Sequence, residues 1–214
     1  CRKWRIKPMA SSAQQKQFIN EIAYIIQEEA KARGYQVCSP IIAQACIESA
    51  YDGSLLAYKY HNYFGMKCGS SWKGRSVNLR TKEEVNSTLV SIRDNFRVYA
   101  TMEQGVSGYF DFISTKRYAN LKDADTPEEY LKRIKADGYA TSSSYVNTNM
   151  NCIRKWDLEE WDSVFRTQLL SLDEIAFEVI SGKWGTGATR KQRLRAAGYN
   201  PSIVQARVNE ILKK

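Results

Sequence analysis

The sequence predicts an α+β fold: a mainly helical body with one small antiparallel sheet inserted mid-chain, followed by a separate bundle of three short helices. Three observations predict it. Apolar residues recur at helical spacing in the first fifty residues and again from Met102 onward. Between Tyr60 and Tyr99 that pattern gives way to glycines and to alternating apolar and polar positions around Val77, Leu79, Phe96 and Val98. Beyond residue 171 helical spacing returns in short pieces broken by glycine. A chain of 214 residues with 43% hydrophobic composition is long enough for one full domain and one small one.

The first helix is expected over about Ser11–Arg33. Ser12 and Gln15 form a plausible capping box, Phe18, Ile22, Ile25 and Ile26 make the apolar stripe, and Gly34 stops the run. Ser39-Pro40 opens a second helix, with Ser39 as N-cap and Pro at its first position. Its run, IIAQACIESAY, is apolar on most of its surface, so the helix should be buried. Gly65, Gly69 and Gly74 mark a loop, and the short sheet follows. Thr126-Pro127-Glu128-Glu129 is another capping box, starting a helix that ends at Gly138. Ser142 to Leu158 reads as one more helix.

The resulting domains are 11–162, a linker over 163–171, and a unit over 172–214. In that unit a helix runs to Ile180, and Gly182, Gly185 and Gly187 form a turn. A second helix runs through Ala197 with Gly198 as its cap, and Asn200-Pro201 opens the third.

The net charge of +9 suggests a polyanionic partner, such as nucleic acid, anionic lipid or a polyanionic cell wall. No Lys/Arg run carries interleaved aromatics, which argues against nucleic acid. No stretch reaches transmembrane length, so membrane insertion is not expected. The cysteines, Cys1, Cys38, Cys46, Cys68 and Cys152, form no CxxC, and a single His cannot complete a common zinc set. No metal or cofactor is expected, and the scattered cysteines do not argue for a disulfide framework. Cys46 reads as a small buried hydrophobe. The N-terminal CRKWRIKPMA has charges but no apolar core, so it does not read as a signal peptide.

The leading chemical candidate is Glu48. Ile41, Ala45 and Glu48 share one helix face. A carboxylate on an apolar face is costly unless paired or protonated, and a raised pKa suits a general acid near neutral pH. A helix-end Glu turned to solvent or to a Lys is the simpler account, and periodicity alone favours it. Glu83 and Glu84 in the sheet region are candidates for a second carboxylate. Neighbours on a strand face opposite ways, so at most one of them reaches a cleft, and two solvated strand charges explain them as well.

Three stretches together, IIAQACIESAYDGS, HNYFGMKCGSSWKGRSVNLRTKEE and GYATSSSYVNTNM, resemble glycoside hydrolase family 73 over roughly Ser11–Asp162. These are the bacterial N-acetylglucosaminidases of autolysins, flagellar wall hydrolases and phage endolysins. The resemblance implies a lysozyme-like α+β catalytic domain with a small β-lobe. It implies Glu48 as general acid and Glu83 as the second carboxylate. Glu84 stands where the family usually has Tyr, which leaves it as an alternative. Tyr139 matches a residue bordering the catalytic centre, and Ser142-Ser143 replace the family's Asp-Pro. Tyr63, Phe64 and Tyr145 are implied to line the groove, although packing would account for them equally well.

The stretch LDEIAFEVISGKWGTGATRKQRLRAAGYNPSIVQARVNEIL resembles the CW-seven wall-binding repeat of phage endolysins. This implies a three-helix all-α module that recognises muropeptides, with Asp173, Trp184, Arg190 and Tyr199 as contact positions. Trp184 is also a natural core plug. Together the two resemblances imply a peptidoglycan hydrolase of the endo-β-N-acetylglucosaminidase type, with glycan strands and muropeptides as partners. It would act on the bacterial wall after synthesis in the host cytoplasm and release through a holin. A muramidase or lytic transglycosylase, or a wall-binding protein without activity, are the alternatives.

Overall fold

In the computed structural model, the first helix, α1 (Ser12–Arg33), buries Phe18, Ile19, Ile22, Ala23, Ile26 and Ala30. The structure describes residues 11–70, 72–85, 88–163, 165, 172–196 and 199–213, with the backbone alone for 82–85, 88–90, 195 and 196. The capping box of α1 sits one residue earlier than expected. Ser11 Oγ accepts from the Gln14 N–H at 3.3 Å, and Gln14 Oε1 accepts from the Ser11 N–H at 2.9 Å. Two adjacent serines and two adjacent glutamines made both registers possible, and the apolar stripe selects this one. Gly34, at φ 78°, closes the helix in the left-handed region that glycine adopts without strain.

Helix α2 (Ser39–Ser49) is capped in a way the sequence did not suggest. Its N-cap is Cys38, not Ser39, and Cys38 supplies no side-chain cap. Asp162, fully buried and more than a hundred residues away, does so instead. Its Oδ1 accepts from the N–H groups of Cys38 at 2.7 Å and Ser39 at 2.9 Å, and Oδ2 accepts from Ser39 Oγ at 2.6 Å. A carboxylate here satisfies donors that the helix cannot pair and meets the positive end of its dipole. The neighbouring Trp161 carbonyl accepts from Gln27 Nε2 at 2.7 Å, so this segment is sewn to both α1 and α2.

As expected, α2 is buried along most of its length, from Ser39 to Cys46. Cys46 is more than a small hydrophobe. Both it and Cys152 on α6 (Tyr145–Trp156) are free thiols, and a hydrogen bond between them holds the Cys152 thiol below its usual pKa.

After the short helix α3 (Leu55–Tyr58) and the loop to Gly69, strands β1 (Ser76–Val85) and β2 (Thr88–Arg97) form an antiparallel hairpin. Its base pairs Ser76 with Arg97, and an isolated bridge joins Lys67 to Phe96. Helix α4 (Met102–Ile113) comes next, then a 3₁₀ segment at Lys116–Asp123 that the sequence did not signal. Helix α5 (Pro127–Ala136) starts at Thr126, whose side chain accepts from the Glu129 N–H at 3.3 Å. Helix α6 is shorter at both ends than the expected 142–158.

The chain divides into two compact units, Cys1–Asp162 and Ser163–Lys214. Most of the expected linker lies outside the described residues. In the second unit, helices α7 (Leu172–Ile180), α8 (Gly187–Ala196) and α9 (Pro201–Ile211) share a core of Ile175, Ala176, Val179, Leu194, Val204 and Val208. Asn200 caps α9, accepting from the Ser202 N–H at 3.0 Å. Gly198, the expected cap of α8, lies outside the described residues.

Replacing Asp162 by Ala strips the α2 N-terminus of three bonds to one charged group and should cost about 3 kcal/mol of stability. Denaturant unfolding, followed by circular dichroism, measures it. A loss below about 1 kcal/mol would mean that water takes over the cap.

Candidate active site

Glu48 lies in the last turn of α2, and the helix stops at Ser49. Three consecutive residues without glycine's freedom, Ala50, Tyr51 and Asp52, then adopt left-handed φ values of 53°, 54° and 62°. Each costs roughly 1–2 kcal/mol relative to ordinary backbone. The turn is held by Ser49, whose Oγ accepts from the Asp52 N–H at 3.1 Å and whose carbonyl accepts from the Ser54 N–H at 2.9 Å. The Tyr51 hydroxyl accepts from Trp156 Nε1 at 2.9 Å, tying the turn to α6.

Of the two accounts of Glu48, the structure has the simpler one, a helix-end carboxylate that is exposed rather than buried on an apolar face. Ile41 and Ala45 are fully buried, but Glu48 is exposed. The core that covers the body of α2 ends one turn earlier, and the helix terminus emerges into a cleft of about 820 Å³. Phe64, Gly65, Asp111, Phe112 and Tyr139 line this cleft with Glu48. A side-chain carbon placed on Gly65 would stand 3.9 Å from Glu48 Oε2.

The cleft floor is a buried aromatic and polar cluster. Phe64 stacks on Tyr109 with ring centroids 3.9 Å apart and 13° between planes. Tyr139 packs edge-on to Tyr109 at 6.2 Å and beside Tyr145 at 6.2 Å, and its hydroxyl donates to the Phe64 carbonyl at 3.5 Å. Beneath them Gln44 links two phenols. Its Nε2 donates to the Tyr145 hydroxyl at 2.5 Å, and its Oε1 accepts from Tyr109 at 2.8 Å. Burial pushes the Tyr109, Tyr139 and Tyr145 phenols well above their usual value, and the charge of Glu48 adds to this for Tyr139 and Tyr145. These phenols are therefore held in the neutral form near neutral pH.

Of the residues expected at the site, Glu48, Phe64 and Tyr139 meet at the cleft. Tyr145 is buried and does not line the cleft itself; it packs on Tyr139, which does. Tyr63 is not among the cleft-lining residues. It packs against Phe18 of α1 at 5.7 Å, and its hydroxyl bonds His61 Nδ1 at 3.1 Å. Phe64 thus lines the cleft while Tyr63 packs into the core.

Glu83 and Glu84 stand opposite Val90 and Leu89, toward the far end of the hairpin from the Ser76–Arg97 base. Their side chains lie outside the described residues. Among the described residues, no group of three or more His, Cys, Asp or Glu could hold a metal ion.

The sequence reading missed Asn62, which is buried and fixes the cleft loop. Its Oδ1 accepts from the Met66 N–H at 2.8 Å, and its Nδ2 donates to the carbonyls of Met66 and Arg97, both at 2.9 Å. It also missed Gln44. An amide inside an otherwise apolar helix needs partners, and that was the available signal.

In the second unit, Trp184 and Tyr199 pack edge-on at 6.0 Å against its core, and Trp184 Nε1 donates to Glu178 Oε2 at 2.9 Å. Asp173 is held by both arms of the Arg207 guanidinium. Arg190 donates to the Gly185 carbonyl at 2.8 Å and to Gln205 at 3.3 Å. All four expected contact positions thus have structural partners inside the bundle.

The family model described as mannosyl-glycoprotein endo-beta-N-acetylglucosaminidase matches residues 23–158. The chain belongs to this glucosaminidase family. A CW_7 repeat matches residues 173–212. The exo-glucosaminidase LytG of Bacillus subtilis is 29% identical over 163 residues, covering 72% of this glucosaminidase chain and 57% of LytG. The chain therefore spans a little over half the length of that relative. The chain is also similar to the lysozyme of Streptococcus phage Cp-7, 47% identical over 56 residues, which are 26% of this chain and 16% of that one. The catalytic domain of the autolysin Auto from Listeria monocytogenes superposes with a TM-score of 0.62 at 24% identity, over 71% of this chain and 89% of that one. The fold of the glucosaminidase unit is thus that of lysozyme-like glycoside hydrolases, mostly helical with a two-stranded sheet.

Two outcomes follow. Asn62→Ala leaves the loop without three bonds to backbone and should lower stability by about 2–3 kcal/mol, with faster proteolytic nicking between residues 60 and 70. Denaturant midpoints and limited proteolysis read this, and an unchanged midpoint would remove Asn62 from its clamping role. The second outcome concerns alkali. A phenol whose folded pKa is raised contributes stability that is complete below the unfolded value of 10 and is lost as pH rises above it. The chain should therefore lose stability progressively above pH 10, and phenolate absorbance from the buried tyrosines should appear only with unfolding.

Proposed function

We propose that this chain is a peptidoglycan hydrolase that cuts the glycan backbone as an endo-β-N-acetylglucosaminidase, with Glu48 as general acid. The observation that carries this reading is the placement of Glu48. A rigid buried helix delivers one carboxylate to the floor of an open cleft, beside neutral phenols and a glycine that lets substrate approach. A sugar seated there excludes water from the carboxylate, the condition that favours its protonated form. Glu48 then protonates the leaving glycosidic oxygen.

Two routes complete the reaction. Glu83, or Glu84, activates water on the opposite face of the sugar and inverts the anomeric centre. Alternatively, the substrate's own N-acetyl oxygen attacks that centre as the bond to the protonated leaving oxygen breaks, with Tyr139 orienting it, and water then opens the resulting oxazolinium ring so that configuration is retained overall. The position of Glu83 and Glu84 toward the far end of the hairpin favours the second route. The first requires the hairpin to bend over the cleft. The second unit is read as the wall anchor, with Asp173, Trp184, Arg190 and Tyr199 at its contact surface.

Digestion of purified peptidoglycan by the wild type and Glu48→Gln, then borohydride reduction and mass analysis of the fragments, tests the reading. Reduced GlcNAc ends from the wild type, with at least a ~100-fold loss in the variant, are expected. Reduced MurNAc ends would make the chain a muramidase, and full activity in the variant would remove Glu48 as the acid. Proton NMR of the first product formed separates the two routes by its anomer.

A further inference from the structure

The same cleft carries a second chemical feature. Its walls hold two guanidiniums, from Arg97 at the end of β2 and Arg117 in the 3₁₀ segment. Both are arranged alike. Arg97 Nε donates to the Lys67 carbonyl at 3.0 Å, and its guanidinium lies 4.8 Å from the Trp72 ring centroid. Arg117 Nε donates to the Asp137 carbonyl, and its guanidinium lies 5.5 Å from the Tyr118 ring centroid. In each case one edge of the fork is tied to backbone and one face rests on an aromatic ring, so the orientation is set before any ligand arrives.

Apart from Glu48, the candidate acid, the other charged residues lining the cleft are paired. Lys67 pairs with Asp94 at 2.9 Å, and Asp111 pairs with Arg33 at 2.7 Å. Among the described residues neither Arg97 nor Arg117 has an ion-pair partner. Glycines lie close to both stacks. A side-chain carbon on Gly138 would fall 2.2 Å from Arg117 Nη2, and one on Gly74 would fall 2.4 Å from the Trp72 ring. Glycine at both positions leaves room for the stacked side chains.

We infer that Arg97 and Arg117 form a carboxylate subsite, which selects glycan strands bearing free lactyl or stem-peptide carboxylates over uncharged ones. This rests on the peptidoglycan-hydrolase reading. A polymer of neutral N-acetylated sugars offers a guanidinium only neutral acceptors. Carboxylates on every second sugar offer the planar two-oxygen partner that an Arg fork matches. Arg97 and Arg117 would thus set which strands are cut and in which register, without touching the reacting bond.

The test compares peptidoglycan with the same material after its carboxyls are converted to amides with carbodiimide and ammonia. Initial rates of reducing-end release give kcat and KM for the wild type, Arg97→Gln, Arg117→Gln and the double variant, with thermal midpoints measured alongside. For the wild type, KM should rise about tenfold on the amidated polymer, the equivalent of one charge-assisted hydrogen bond. On native polymer each variant should show the raised KM, and amidation should then have little further effect on the double variant. Arg→Lys should restore part of the charge preference. Equal wild-type KM on the two polymers would overturn the subsite, whatever the variants do. So would variants that lose equally on both. No release from either polymer by the wild type would overturn the hydrolase reading and the subsite with it, whereas charge-blind release would overturn the subsite alone.

Discussion

The buried Asp162 carboxylate at the N-terminus of α2 is the interaction on which the first unit depends. A carboxylate with no exposure is tolerable only when its oxygens are fully engaged, and here they take two backbone N–H groups and a hydroxyl. In return the helix end is capped in the core, where water cannot do it. The contact also closes the unit topologically, because it joins the segment after α6 to the start of α2. With its N-terminus fixed and its length buried, α2 has one free end. That end carries Glu48. The position of the candidate acid is therefore determined about ten residues away, by a residue at the other end of the domain's sequence.

The free end is where the fold accepts strain. Three left-handed residues in succession turn the chain away from the cleft immediately after Glu48, and Ser49, Trp156 and Tyr51 hold them there. Strain of this kind persists only where the surroundings over-determine it, and it clusters where geometry serves function. Behind the acid the rings are tied together, with Tyr109 and Tyr145 bonded to the Gln44 amide and Phe64 and Tyr139 packed on them. In front it is open. Glu48 is thus exposed in the free protein, as a residue in the last turn of a helix often is.

Much of this was legible in the sequence, and the reasons are local. Helices α1, α2 and α5 announce themselves by apolar spacing and by Ser, Thr and Pro at their starts. The hairpin shows in its alternation and the second unit in its glycine punctuation. What was illegible depends on distance in the chain. Nothing near Ser39 points to Asp162, so the serine itself looked like the cap. The 3₁₀ segment has no strong period, yet it delivers Arg117 to the cleft. Tyr63 and Phe64 are equivalent as residue types, and only the folded loop decides which faces in. Gln44 and Asn62 were visible as polar residues in apolar company, a signal that asks for a partner without naming it.

The net charge of +9 acquires a more specific meaning from the cleft. Exposed charges act over roughly a Debye length, about 8 Å at physiological ionic strength, so a diffuse positive surface governs approach to an anionic polymer and fades with salt. Stacked, oriented guanidiniums act at contact, where screening is weaker and geometry counts. The two layers do different work. Diffuse charge raises the encounter rate with any polyanion and cannot distinguish one from another. Arg97 and Arg117, tied to backbone and spaced across one cleft, can hold a strand in a single register relative to Glu48. For a polymer whose units repeat, register decides which bond is cut.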